Sequence, residues 1–151
     1  MTIQHVLVPL DFSTYAEQAL DYAIALAKQL SARVTLLHVI QPPAVVNVEG
    51  GLWPSSTFLQ DLEAEVTRDM ETYLTRVTAA GVKGERRVVH GVPFHQIIET
   101  AKAQQVDLIV MGTHGRTGLS HVLLGSVAER VVRLAPCPVL VVRQPAPVAV
   151  S

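Results

Sequence analysis

The chain has 151 residues, enough for one domain, and a domain of that size buries about 70% of the surface its unfolded chain exposes. Hydrophobic residues make up 49% of it and aromatic ones only 5%, so the core must come from Val, Leu, Ile and Ala, which suits a parallel sheet covered by helices. Twelve basic residues against thirteen acidic ones leave a formal charge of -1, and no Lys/Arg run is long enough to track a polyanion, which argues against nucleic acid as a partner.

Val6 to Leu10 is a short apolar run stopped by Asp11 and Ser13, the pattern of a buried strand. The run is too short for a signal peptide or a membrane span, so the expectation is a cytoplasmic protein without membrane contact. From Tyr15 to Leu30 the positions Ala16, Leu20, Ala23, Ile24 and Ala27 keep a helical period, and Thr14 with Glu17 has capping-box spacing. Arg33 to Ile40 reads as the second strand. Pro42, Pro43, Gly50, Gly51 and Pro54 then force the segment from Gln41 to Thr57 out of regular structure. Its length makes it either a lid or a mobile excursion, and Trp53 within it has no assignable role.

Helical periodicity resumes through Leu59, Leu62, Val66, Met70, Tyr73, Leu74 and Val77, with Gly81 placed to end the helix. Glu85 to Val89 is the third strand. Pro93 suits the first position of a helix reaching Gln104, and Val106 to Gly112 is a strongly apolar fourth strand. Ser126 to Leu134 is the last helix and Val139 to Val142 the fifth strand. A single domain over residues 1–143 is therefore expected, followed by a Pro/Ala/Val-rich, frayed tail from Gln144 to Ser151. Strict alternation of strand and helix predicts an α/β fold, an open five-stranded parallel sheet with helices on both faces and right-handed crossovers.

After the fourth strand the chain reads Gly112-Thr-His-Gly115-Arg-Thr-Gly118-Leu-Ser-His-Val-Leu-Leu-Gly125-Ser126. A glycine at a strand's carboxyl end lets a ligand approach the backbone, and the following helix start offers unpaired N–H groups and a positive dipole end. Phosphate binds well there. Open α/β sheets bind ligands at the carboxyl ends of their strands, and Asp11, at the end of the first strand, offers two acceptor oxygens to a ribose diol. The competing explanation is structural. Ser126 and Glu129 have capping-box spacing, Gly115 and Gly118 suit ordinary turns, and Asp11 precedes a helix whose dipole favours an acid. The loop is neither a Walker A loop nor the dinucleotide fingerprint.

Taken together, these residues resemble the ATP-binding branch of the universal stress protein family. That family's signature is glycine, two residues, glycine, nine residues, glycine, then Ser or Thr, which Gly112, Gly115, Gly125 and Ser126 meet. The opening Val8-Pro-Leu-Asp11-Phe-Ser13 and the closing Pro136-Cys-Pro-Val139 carry the likeness to both ends of the chain. The resemblance implies a Rossmann-like sheet of order 3-2-1-4-5. It places adenine near Pro9, Leu10 and the Val39 backbone, the ribose on Asp11, and Met111 on the adenosine side. It places the phosphates, with any Mg or Mn they carry, at Gly112, His114, Gly115, Arg116, Gly125, Ser126 and Val127. It also implies a homodimer through the fifth strand, Val139, Leu140, Val141 and Val142. Pairing would cover that apolar edge, the alternative being that a neighbouring loop or the C-terminal tail covers it instead.

His5, His38, His90, His95, His114 and His121 show no ligand spacing, so no dedicated metal site is expected. The single cysteine, Cys137, leaves no disulfide or thiol pair and reads as a small packed residue. No nucleophile and base occur together in a catalytic context. The expected function is a nucleotide-responsive dimer with slow or absent hydrolysis. The alternatives are an ATP-using enzyme, against which the turn Asp11-Phe-Ser-Thr14 lacks a glycine-rich pyrophosphatase loop, and an interaction module that binds no nucleotide.

Overall fold

A computed structural model describes residues 1–42, 56–114 and 124–143. Trp53, the predicted phosphate contacts Gly115 and Arg116, the turn residue Gly118, His121 and the tail from Gln144 lie outside the described residues. The elements run β1 (His5–Pro9), α1 (Thr14–Leu30), β2 (Arg33–Ile40), α2 (Ser56–Ala79), β3 (Gly84–His90), α3 (Pro93–Ala103), β4 (Leu108–Gly112), α4 (Ser126–Leu134) and β5 (Val139–Val142). The described strands form one sheet of order β3-β2-β1-β4-β5, parallel at every pairing.

This order follows from the direction of the chain. It leaves β1 outward through β2 to β3, and right-handed crossovers place α1 and α2 on one face. It then returns over α3 to β4 and steps on to β5, which places α3 and α4 on the other face. The strand side chains divide accordingly with a period of two. Val6, Val8, Val34 and Leu36 join the core under α1 and α2, whereas Leu7, Leu37 and Ile109 join the core under α3 and α4. Fully burying each such side chain contributes about 1.5–3 kcal/mol. The order reverses between β1 and β4, so their carboxyl ends open a crevice at the sheet's switch point.

Small residues seat α1 closely, since Ala16, Ala19, Ala23 and Ala27 are all buried beneath it. Its cap differs from the predicted Thr14–Glu17 box: Ser13 is the N-cap, and its side chain accepts the Ala16 N–H. Glu17 instead accepts a hydrogen bond from the Tyr73 hydroxyl at 2.9 Å, so contact with α2 outcompetes a local bond. Helix α2 begins at Ser56, inside the predicted loop, and ends before Gly81, whose φ of +81° is the left-handed conformation the stop requires.

Candidate functional site

The turn after β1 is built by Asp11, Phe12 and Ser13. Leu10 N–H extends the ladder by donating to Leu37 O at 2.8 Å. Phe12 then takes a φ of +65°, which folds Ser13 back onto Asp11. The Ser13 N–H and hydroxyl both donate to Asp11 Oδ1, at 3.0 and 2.5 Å. One carboxylate oxygen thus holds an Asx turn at the start of α1, and Oδ2 makes no hydrogen bond among the described residues.

On the neighbouring strand, Met111 and Gly112 end β4 fully within the sheet. An added Cβ at Gly112 would lie 2.8 Å from the Tyr15 carbonyl oxygen. Glycine is therefore required here by the close approach of α1, a reason the sequence reading, which assigned the space to a ligand, did not anticipate. Past Gly112 the chain reaches Thr113, whose carbonyl accepts the Gly125 N–H at 2.7 Å. That bond ties the exit of the glycine loop to its entrance and sets the start of α4 directly beyond β4.

Gly125, not Ser126, caps α4, and Ser126 is its first helical residue. The Ser126–Glu129 box of the competing structural explanation does not form, and Glu129 pairs with Arg133 one turn on. The Ser126 hydroxyl makes no hydrogen bond among the described residues, and the N–H groups of Ser126, Val127 and Ala128 have no intrahelical partners. With the dipole's positive end they form an anion-attracting rim. His114 sits beside it. Its Nδ1 lies 3.0 Å from Thr113 Oγ1, its ring is 5.3 Å from that of Tyr15, and its buried Nε2 has no partner among the described residues.

The fold thus brings Pro9, Leu10, Asp11, Met111, Gly112, His114, Gly125, Ser126 and Val127 to the switch-point end of the sheet. Val39 lies farther along β2, packed against the core under α3 and α4. The donors and acceptors suit a nucleotide: a carboxylate oxygen for a diol, N–H groups and a hydroxyl for phosphate, and a buried imidazole nitrogen without a partner. Sequence reasoning missed Ser13, Tyr15, His38 and Tyr73 as parts of this region. The Asp-x-Ser spacing was a legible Asx-turn signal, whereas the approach of Tyr15 to Gly112 has no local signature.

Around the turn, Phe12 stacks on His38 with ring centroids 4.4 Å apart and faces Tyr73 at 5.9 Å. Burial, then the hydrogen bond to Glu17, raises the Tyr73 phenol to about 12. At the other end of the sheet His5 is buried with Nε2 2.7 Å from Thr35 Oγ1. Burial, reinforced by Arg33, lowers its pKa. Cys137 is half-buried, and burial pushes its thiol up. Among the described residues no group of three His, Cys, Asp or Glu could hold a metal ion, and no helix is long and apolar enough to cross a membrane.

Comparison with known proteins agrees with this fold. The model of the universal stress protein family matches residues 2–143. Universal stress protein MJ0531 of Methanocaldococcus jannaschii is 38% identical over 93% of this chain and 82% of its own length. The solved structure of MJ0577, a universal stress protein from the same organism, superimposes with a TM-score of 0.84 at 34% identity, covering 96% of this chain and 99% of that one. A universal stress protein solved in complex with cAMP matches with a TM-score of 0.72 at 27% identity, over 95% of this chain and 98% of its own. The chain belongs to the universal stress protein family.

Proposed function

We propose that this protein binds ATP at the carboxyl ends of β1 and β4 and uses its occupancy as a signal rather than as fuel. The observation that carries the reading is the bond from Gly125 N–H to Thr113 O, which sets the open N-terminus of α4 beside the strand end that bears Asp11. Asp11 Oδ2 accepts from the ribose, with Pro9, Leu10, Val39 and Met111 on the adenosine side. Gly112, His114, Gly125, Ser126 and Val127 meet the phosphates, together with Gly115 and Arg116 of the loop, and a Mg or Mn ion rides on the phosphates. The family relative solved with cAMP supports a nucleotide at this fold. The protein works in the cytoplasm as a homodimer joined through β5, whose half-buried Val139, Leu140, Val141 and Val142 form an apolar sheet edge.

A thermal melt tests the reading. With protein verified free of carried-over nucleotide, Mg-ATP at about a thousand times its dissociation constant adds roughly 4 kcal/mol, or about 8–16 °C at this chain length. No shift with ATP, AMP or cAMP refutes nucleotide binding. Rapid multiple-turnover phosphate release, in place of slow or absent hydrolysis, refutes the signalling assignment while leaving the site intact.

A further inference from the structure

We infer that Phe12, stacked against His38 of β2 and Tyr73 of α2, is the positioning residue that aims the Asp11 carboxylate at the ribose. The inference rests on the ATP reading above. Phe12 has a φ of +65°, a conformation that L residues with bulky side chains avoid. That conformation is what turns the Ser13 N–H and hydroxyl back onto Asp11 Oδ1, and so what leaves Oδ2 without a hydrogen bond among the described residues. An extended Phe12 would open the Asx turn and free the carboxylate to rotate.

Rings from two other elements pack against Phe12. The Phe12 ring lies nearly parallel to His38, with 18° between planes, and to Tyr73, with 9°. Each flanking ring is itself anchored. His38 Nδ1 lies 2.7 Å from Leu10 O, and since a carbonyl only accepts, Nδ1–H is the donor. The Tyr73 hydroxyl donates to Glu17 of α1, and Arg76 lies over the Tyr73 ring. A local strain maintained by contacts from β2, α1 and α2 is the pattern expected where geometry serves a ligand. It also makes α2 a lever on the site, because Tyr73 touches the clamp without being part of the Asp11 turn.

Titration calorimetry with ATP and 2′,3′-dideoxy-ATP tests the clamp on wild type, Phe12→Ala, Tyr73→Ala and Tyr73→Phe. Alanine keeps the cost of a φ of +65° but offers the flanking rings nothing to stack on, so in Phe12→Ala the turn relaxes toward extended backbone. Wild type prefers ATP by about tenfold, the yield of one hydrogen bond to a charged group. Phe12→Ala and Tyr73→Ala bring the two affinities toward parity while keeping the dideoxy affinity, and Tyr73→Phe, which retains the ring, keeps the preference. A preserved preference in Phe12→Ala and Tyr73→Ala, or an equal loss for both nucleotides, overturns the clamp. Wild type that binds ATP without preferring it refutes the clamp alone, and wild type that binds neither sinks the ATP reading as well.

Discussion

Replacing Gly112 with alanine drives one methyl group into the first turn of α1. The added Cβ lies 2.8 Å from Tyr15 O and 2.9 Å from Tyr15 C and Cβ, against the roughly 3.5–4.0 Å of ordinary carbon contacts. These atoms are backbone or fixed to it, so no rotamer change relieves the overlap. Either the end of β4 or the first turn of α1 must withdraw, and α1 is held there by Ala16 and Ala19, at 5% and 0% exposure. Overpacking of this kind costs about 1–3 kcal/mol. At about 2–4 °C per kcal/mol, Tm falls by about 2–12 °C. The sign is decisive because Gly112 is not in the positive-φ region, where alanine would be strained regardless of space. Were the site open, alanine would raise stability by about 0.4–1 kcal/mol through the unfolded chain. Calorimetric melts and urea curves with unchanged slope measure the effect. An unchanged or raised Tm refutes the claim that α1 occupies the glycine's space.

Gly81 provides the converse case: nothing lies within 4 Å of an added Cβ, but its φ is +81°, so Gly81→Ala costs about 1–2 kcal/mol and Gly81→Asn distinctly less. Equal losses in urea melts contradict a purely conformational origin. The Tyr73 phenol, raised from 10.0 to about 12, contributes stability that is complete below pH 10 and lost as pH rises toward 12. Wild type therefore loses more Tm than Tyr73→Phe between those values, and parallel pH profiles count against the shift. His5 titrates in the opposite sense: its depressed folded value contributes stability present above the unfolded 6.5 and lost as pH falls through the folded value. Acidification from neutrality accordingly destabilises wild type more than His5→Gln, and an equal acid response in the two removes His5 as the cause.

The order of elements was legible in the sequence because buried strands announce themselves as short apolar runs. Val6 to Leu10 and Val106 to Gly112 read as core strands, and the alternation with periodic helices argues for parallel crossovers. The strand ends moved by a residue or two, since apolar runs do not mark where ladder bonds stop: β4 begins at Leu108 although Val106 is equally buried. The glycine loop, Asp11 and Ser126 were legible as site candidates from the chemistry of their types and spacing. Which bland explanation of them fails was not. Spacing predicts a capping box at Thr14 and offers one at Ser126 as the rival to a phosphate site, but the turn geometry gave the caps to Ser13 and Gly125, and Glu17 was claimed by a tyrosine from α2.

By itself, then, the sequence determined what is local and periodic: strand and helix identity, the stop at Gly81, and the residue types at the ends of β1 and β4. Only the tertiary structure decided which distant groups meet. Gly112 is a glycine because Tyr15 arrives from another element, and Phe12 keeps its unfavourable φ because rings from β2 and α2 close on it. Neither leaves a trace in local spacing, since each is a contact energy between segments that the crossovers bring together.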